Sequence, residues 1–69
     1  MAGQLPTTMI FTAEQKREAV DRELIYRRRV FQRLVIAGKM NRTTMDRQIA
    51  VFEAIREDYA KAEQQERLI

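Results

Sequence analysis

Apolar residues recur every three to four positions on both sides of Gly38, and this period predicts two amphipathic helices. In the first arm, Ala13, Val20, Leu24, Phe31, Leu34 and Val35 form one stripe when residues are placed about 100° apart. Ala19, Tyr26, Val30 and Ala37 widen that stripe on one side. In the second arm, Met45, Ile49, Phe52, Ile55, Tyr59 and Ala62 form another stripe, with Val51 on its flank. Thr12 with Gln15 three residues later is a capping-box pattern, so helix 1 is expected over 13–37. Gly38 suits the left-handed position that closes a helix. Asn41 is the best N-cap for a second helix over 42–66, with Thr43 as a rival and with Met40 and Met45 at staple positions. Residues 1–11, with Gly3, Pro6, Thr7 and Thr8, read as a tail whose apolar end (Leu5, Met9, Ile10, Phe11) is able to dock on the helices.

A turn limited to 38–41 makes the two helices antiparallel neighbours, so the expected fold is all-α, a helical hairpin over 12–69. The turn also sets a register. Leu34 falls by Met45, Phe31 by Ile49, Leu24 by Ile55 and Val20 by Tyr59. The same register brings Glu23 to Arg56 and Lys16 or Arg17 to Glu63, so apolar and charged positions agree. Arg27 falls near the middle of the helix 1 stripe and needs a carboxylate, Glu53 or Glu23, or a route for its head to solvent. A role in fixing dimer register is the sharper reading of Arg27.

One hairpin leaves apolar residues over. Tyr26, Val30, Ala37 and Val51 sit on the wide side of their stripes, and a symmetric homodimer, a four-helix bundle, would cover them. The alternative cover is the tail. Ile25 and Ile36 lie on the opposite face of helix 1, out of reach of either.

Composition narrows the chemistry. The chain has 69 residues with no Cys and no His, and Ser is absent as well. A chain this short buries only about 60% of its unfolded surface, and neither a disulfide nor a structural zinc is available to it, so oligomerisation is the remaining common stabiliser. No Cys–His or Ser–His pair can be drawn, and the carboxylates and lysines read as a solvated helix surface. The expectation is therefore no enzyme, no cofactor and no metal. No run approaches the roughly 20 apolar residues of a membrane span, and residues 1–11 lack the basic start of a signal peptide. A cytoplasmic protein with no membrane partner is expected.

Charge is polarised. Residues 16–47 carry ten basic against four acidic side chains, while the whole chain has a net charge of +3. Arg22, Arg29 and Arg33 share the outer face of helix 1 with Ile25 and Ile36, next to Tyr26 and Arg28. Arg and Tyr are frequent anchors at protein interfaces, and Arg also suits phosphate. The bland reading is a solvated face with ordinary pairs such as Glu18 to Arg22. The isoleucines among the arginines favour a protein partner over nucleic acid. Helices of this length do not fit a helix-turn-helix or ribbon-helix-helix reader.

The runs Glu23 to Val30 (ELIYRRRV), Leu34 to Met40 (LVIAGKM) and Asp46 to Ile55 (DRQIAVFEAI), with Asp58 and Tyr59 after them, resemble a family of small phage and prophage proteins, over about residues 12–60. That resemblance implies an origin in a bacterial host cell more than an activity. In size and hairpin plan the chain is also similar to small early phage proteins that block host regulators, including an anti-quorum-sensing anti-activator that binds a host transcription activator. No shared motif carries that second likeness, and no functional residue transfers. The resulting expectation is a phage-encoded homodimer that binds and inhibits or modulates a host protein, such as a transcription regulator. Arg22, Ile25, Tyr26, Arg28, Arg29, Arg33 and Ile36 are the candidate partner-binding residues. The alternatives are a nucleic-acid accessory protein of phage replication or recombination and a purely structural coiled-coil assembly factor.

Overall fold

The structure, a computed structural model, describes residues 10–68 as two helices, α1 (Ala13–Ile36) and α2 (Arg42–Arg67), packed against each other as an antiparallel hairpin. The expected tail over residues 1–9, including docking of Leu5 and Met9, lies outside the described residues. Ile10 is 91% exposed and does not dock, whereas Phe11 is 42% exposed beside Gln15, Ala19 and Arg22 on α1.

Local chemistry fixes the helix ends. The Thr12 hydroxyl accepts from the Gln15 N–H at 3.1 Å, and the Gln15 side chain accepts from the Thr12 N–H at 2.9 Å. Both partners of the capping box are thus satisfied. At the other end Lys39 N–H donates to Leu34 C=O and Gly38 N–H donates to Val35 C=O, a Schellman closure with Gly38 at φ 72°. Helix α1 stops one residue earlier than the sequence suggests, with Ala37 as its cap. Asn41 is the cap of α2, its side-chain oxygen accepting from Thr43 N–H at 2.7 Å; Thr43 itself is inside the helix.

The core is thin. Among the described apolar residues only Ala13 and Leu24 are buried. Val20, Phe31, Leu34, Met45, Phe52 and Ile55 occupy the seam but are half-buried. Two helices form a single layer, so each stripe is covered along one edge and open on both flanks.

The flanks differ. On one, α1 and α2 are bridged by ion pairs: Arg17 with Glu63, Asp21 with Arg56 at 2.6 Å, and Arg28 with Glu53 at 3.7 Å. On the other, Arg27 stacks over the Phe52 ring at 4.3 Å and binds Glu23 at 2.8 Å, and Lys16 lies over Tyr59 at 5.7 Å. Val30, Leu34, Val51 and Ile55 share that second flank on a helical wheel. The hairpin therefore has a charged face and an apolar face.

One of the expected charge pairs changes and another is resolved between its two candidates. Arg56 meets Asp21 and not Glu23, because Glu23 projects on the apolar face, where Arg27 takes it. Of the two candidates for Glu63, Arg17 is the partner. Arg27 resolves as an ion pair with Glu23 whose guanidinium packs on an aromatic ring, so its charge is neither buried alone nor wasted.

Candidate protein-binding face

Helix α1 places a side chain every 100° or so, and the sector facing away from α2 receives Arg22, Ile25, Arg29, Arg33 and Ile36. All five are exposed. Ile25 is 59% and Ile36 80% exposed, large values for aliphatic side chains with no structural reason to face water. The backbone makes this sector unavoidable. Leu24 must face α2, so its neighbour Ile25 is turned about 100° away from the seam.

The arginines here are unpartnered. Among the described residues no carboxylate lies within ion-pair distance of Arg22, Arg29 or Arg33, although Glu18 stands one turn before Arg22. The ordinary solvated-face reading of this segment expects that i, i+4 pair, and the structure does not form it. Three free guanidiniums with two isoleucines among them make a surface that is cationic and locally apolar.

The remaining two candidate residues stand at the edges of this sector. Arg28 turns toward α2, reaches Glu53 and lines the open grooves of the charged face, one together with Ile36 and one together with Ile25. Both partners of that pair are more than half exposed, so it contributes at most about 1 kcal/mol. Tyr26, 61% exposed, stands on the border between the outer sector and the apolar face.

A charge network at the open end of the hairpin is the feature that sequence reasoning found only in part. Glu63 accepts from Arg17 and from Arg67, the latter at 2.8 Å; Arg17 also binds Asp21 at 2.6 Å, and Asp21 binds Arg56. Hydrogen bonding from Arg56 holds the Asp21 carboxyl below its ordinary range, with the Arg56 charge and Arg17 adding to it against the cost of burial. Hydrogen bonding from Arg17 lowers Glu63 in the same way, and the bond to Glu63 raises Arg17. Beyond the network, Glu66 accepts from the Ala13 backbone N–H at 3.3 Å. A carboxylate from the end of α2 thereby satisfies a free donor at the positive end of α1. The signal available in the sequence was the spacing Arg17–Asp21 on one helix and Glu63–Arg67 on the other, each i, i+4. The network clamps the termini of the helices together; every member is used structurally.

The outer sector differs in this respect, because among the described residues none of its charges is paired. Among the described residues no helix is long and apolar enough to cross a membrane, and no cluster of three or more acidic side chains is placed to hold a metal ion. No family model matches the chain, and no curated protein and no solved structure matches it.

Proposed function

We propose that this chain is a small, phage-encoded, non-catalytic binding protein that works as a homodimeric four-helix bundle and docks on a host protein through the outer sector of α1. The observation that carries the reading is the pairing of exposed Ile25 and Ile36 with Arg22 and Arg29, neither of which has a carboxylate partner among the described residues. Such a surface fits a partner that is acidic with apolar pockets, since guanidiniums pair with carboxylates at the rim while isoleucines fill the centre. A bacterial transcription regulator held inactive by this contact is the proposed target, and the phage origin rests on the sequence resemblance alone.

The thin core supports the dimer. Half-buried seam residues gain further burial only from another layer of structure, and a second hairpin supplies one. The same arginines also suit phosphate, which sustains the competing reading of a nucleic-acid accessory protein. Phosphate binding gives no use to Ile25 and Ile36.

The two readings separate experimentally. Host lysate is passed over the immobilised protein and over its Arg29→Glu and Ile36→Asp variants. A partner retained by the native chain and lost from both variants supports docking through this sector. Identical partner sets on all three would overturn it. Retardation of DNA or RNA at low salt, falling steeply as salt rises, would favour the competing reading instead.

A further inference from the structure

We propose that the second copy covers the apolar face with its turn at the opposite end, about a two-fold axis that crosses both helices at the level of Arg28 and Glu53. This rests on the dimer reading above and specifies its geometry.

The choice of face follows from charge. The charged face is already bridged by the ion pairs of Arg17, Asp21 and Arg28 to α2. The apolar face carries Val30, Leu34, Val51 and Ile55, and the one ion pair there among the described residues, Glu23 with Arg27, is internally neutral. Covering it removes apolar surface from water; Lys16, the cation over Tyr59 near the open end of this face, is exposed and its flexible stem lets the ammonium reach solvent.

The orientation follows from where the remaining charges stand on the rims of that face. On α2, Arg47 and Asp58 flank Val51 and Ala54. If α2 lies antiparallel against α2 of a second copy, Arg47 meets the second copy's Asp58 and Val51 meets its Ala54. The centre of that pairing falls between Phe52 and Glu53. On α1, Glu23 and Arg33 flank Tyr26 and Val30. Antiparallel pairing of α1 with its copy sets Glu23 against Arg33 and Tyr26 against Val30, centred on Arg28. These two centres come from different helices and different residues. The structure places them side by side, because Arg28 and Glu53 are in contact across the hairpin at 3.7 Å. One axis therefore satisfies both helices.

The other symmetric arrangement has both turns at the same end. It would gather Arg33, Lys39, Arg42 and Arg47 of both copies, and like charges in proximity oppose it. In the opposite-end arrangement the basic turn of each hairpin lies beside the acidic open end of the other. Tyr26 and Arg33 then belong to the contact between copies and not to the docking face. Arg22, Ile25, Arg29 and Ile36 stay outside for the host partner.

The absence of cysteine makes a direct test available. A spin label at Lys39→Cys sits on the exposed turn. At about 1.5 Å per residue, the eleven steps from Arg28 to Lys39 put the label about 16 Å from the axis, so two labels are expected about 33 Å apart or more. Sedimentation of the labelled full-length protein as a dimer with that distance supports the proposal. A dimer with labels closer than about 20 Å overturns this geometry and leaves the dimer intact, whereas a monomer overturns both. Charge reversal gives the second arm. Arg47→Glu and Asp58→Arg are each expected to weaken dimerisation about tenfold at low salt, because symmetry applies each change twice. The double variant restores the native constant to within about threefold. Losses that simply add in the double variant would overturn the pairing.

Discussion

Leu24 and Ile25 are adjacent, both aliphatic and both inside α1, yet the fold treats them oppositely: Leu24 is 3% exposed and Ile25 59%. Truncating each to Ala therefore isolates burial from helix chemistry. Leu24→Ala removes three carbons from the seam. At about 0.8 kcal/mol per methylene the transfer loss alone is about 2.4 kcal/mol. A cavity contribution adds to this in closed cores, where Leu→Ala costs about 2–5 kcal/mol. The neighbours of Leu24 are half-buried and free to settle inward, so the expected loss is about 2–3 kcal/mol. Ile25→Ala removes a side chain that stays mostly in water, and the higher helix propensity of Ala offsets part of the small burial lost, so its expected effect lies within about 0.5 kcal/mol of zero. Urea melts followed by circular dichroism measure both. Because the folded state is proposed to be dimeric, all three proteins are compared at one concentration. A Leu24→Ala loss under about 1 kcal/mol would refute the seam described here. So would an Ile25→Ala loss as large as that of Leu24→Ala, which would mean the outer sector is structurally covered.

Acid sensitivity follows from the network at the open end. Asp21 and Glu63 titrate below their ordinary values of 3.8 and 4.5 when folded, so in that range the unfolded chain binds more protons. Their contribution is fully present above about pH 5 and is lost as pH falls through the folded values; thermal melts from pH 6 to pH 2 should show the midpoint dropping, and the Asp21→Asn, Glu63→Gln double variant should show a shallower drop. Gly38→Ala puts a side chain on a backbone at φ 72° with no neighbour within 4 Å of the new carbon, so its cost, about 1 kcal/mol, is backbone strain alone. Gly38→Asn should cost less than Gly38→Ala in the same melts, since Asn tolerates that conformation. Thr12→Ala removes the capping hydroxyl and should cost about 1 kcal/mol, with faster amide exchange confined to the first turn of α1.

The residues that announced the fold are those whose effect is local. Thr12 and Gln15, Gly38, and Asn41 each act within four positions of themselves, so the start of α1, its closure and the start of α2 follow from short-range hydrogen bonding whatever the rest of the chain does. The shortness of the turn then dictates the antiparallel hairpin. The candidate face was equally legible, because residues at Leu24 and Ile25 cannot both point to α2. Charge partnership was not. The register brought Arg56 level with Glu23, but level says nothing about flank, and Asp21 rather than Glu23 stands on the same flank as Arg56. How two helices roll against each other depends on the whole seam packing at once, and long side chains reach about a full turn along the axis, so pairing is set only when both backbones are placed. For the same reason the division into a charged face and an apolar face, and the reach of Glu66 to the free N–H of Ala13, belong to the tertiary structure. The sequence by itself determined two capped helices and the turn that folds one onto the other. The packing of those helices decided which charges are spent holding the hairpin and which are left facing solvent.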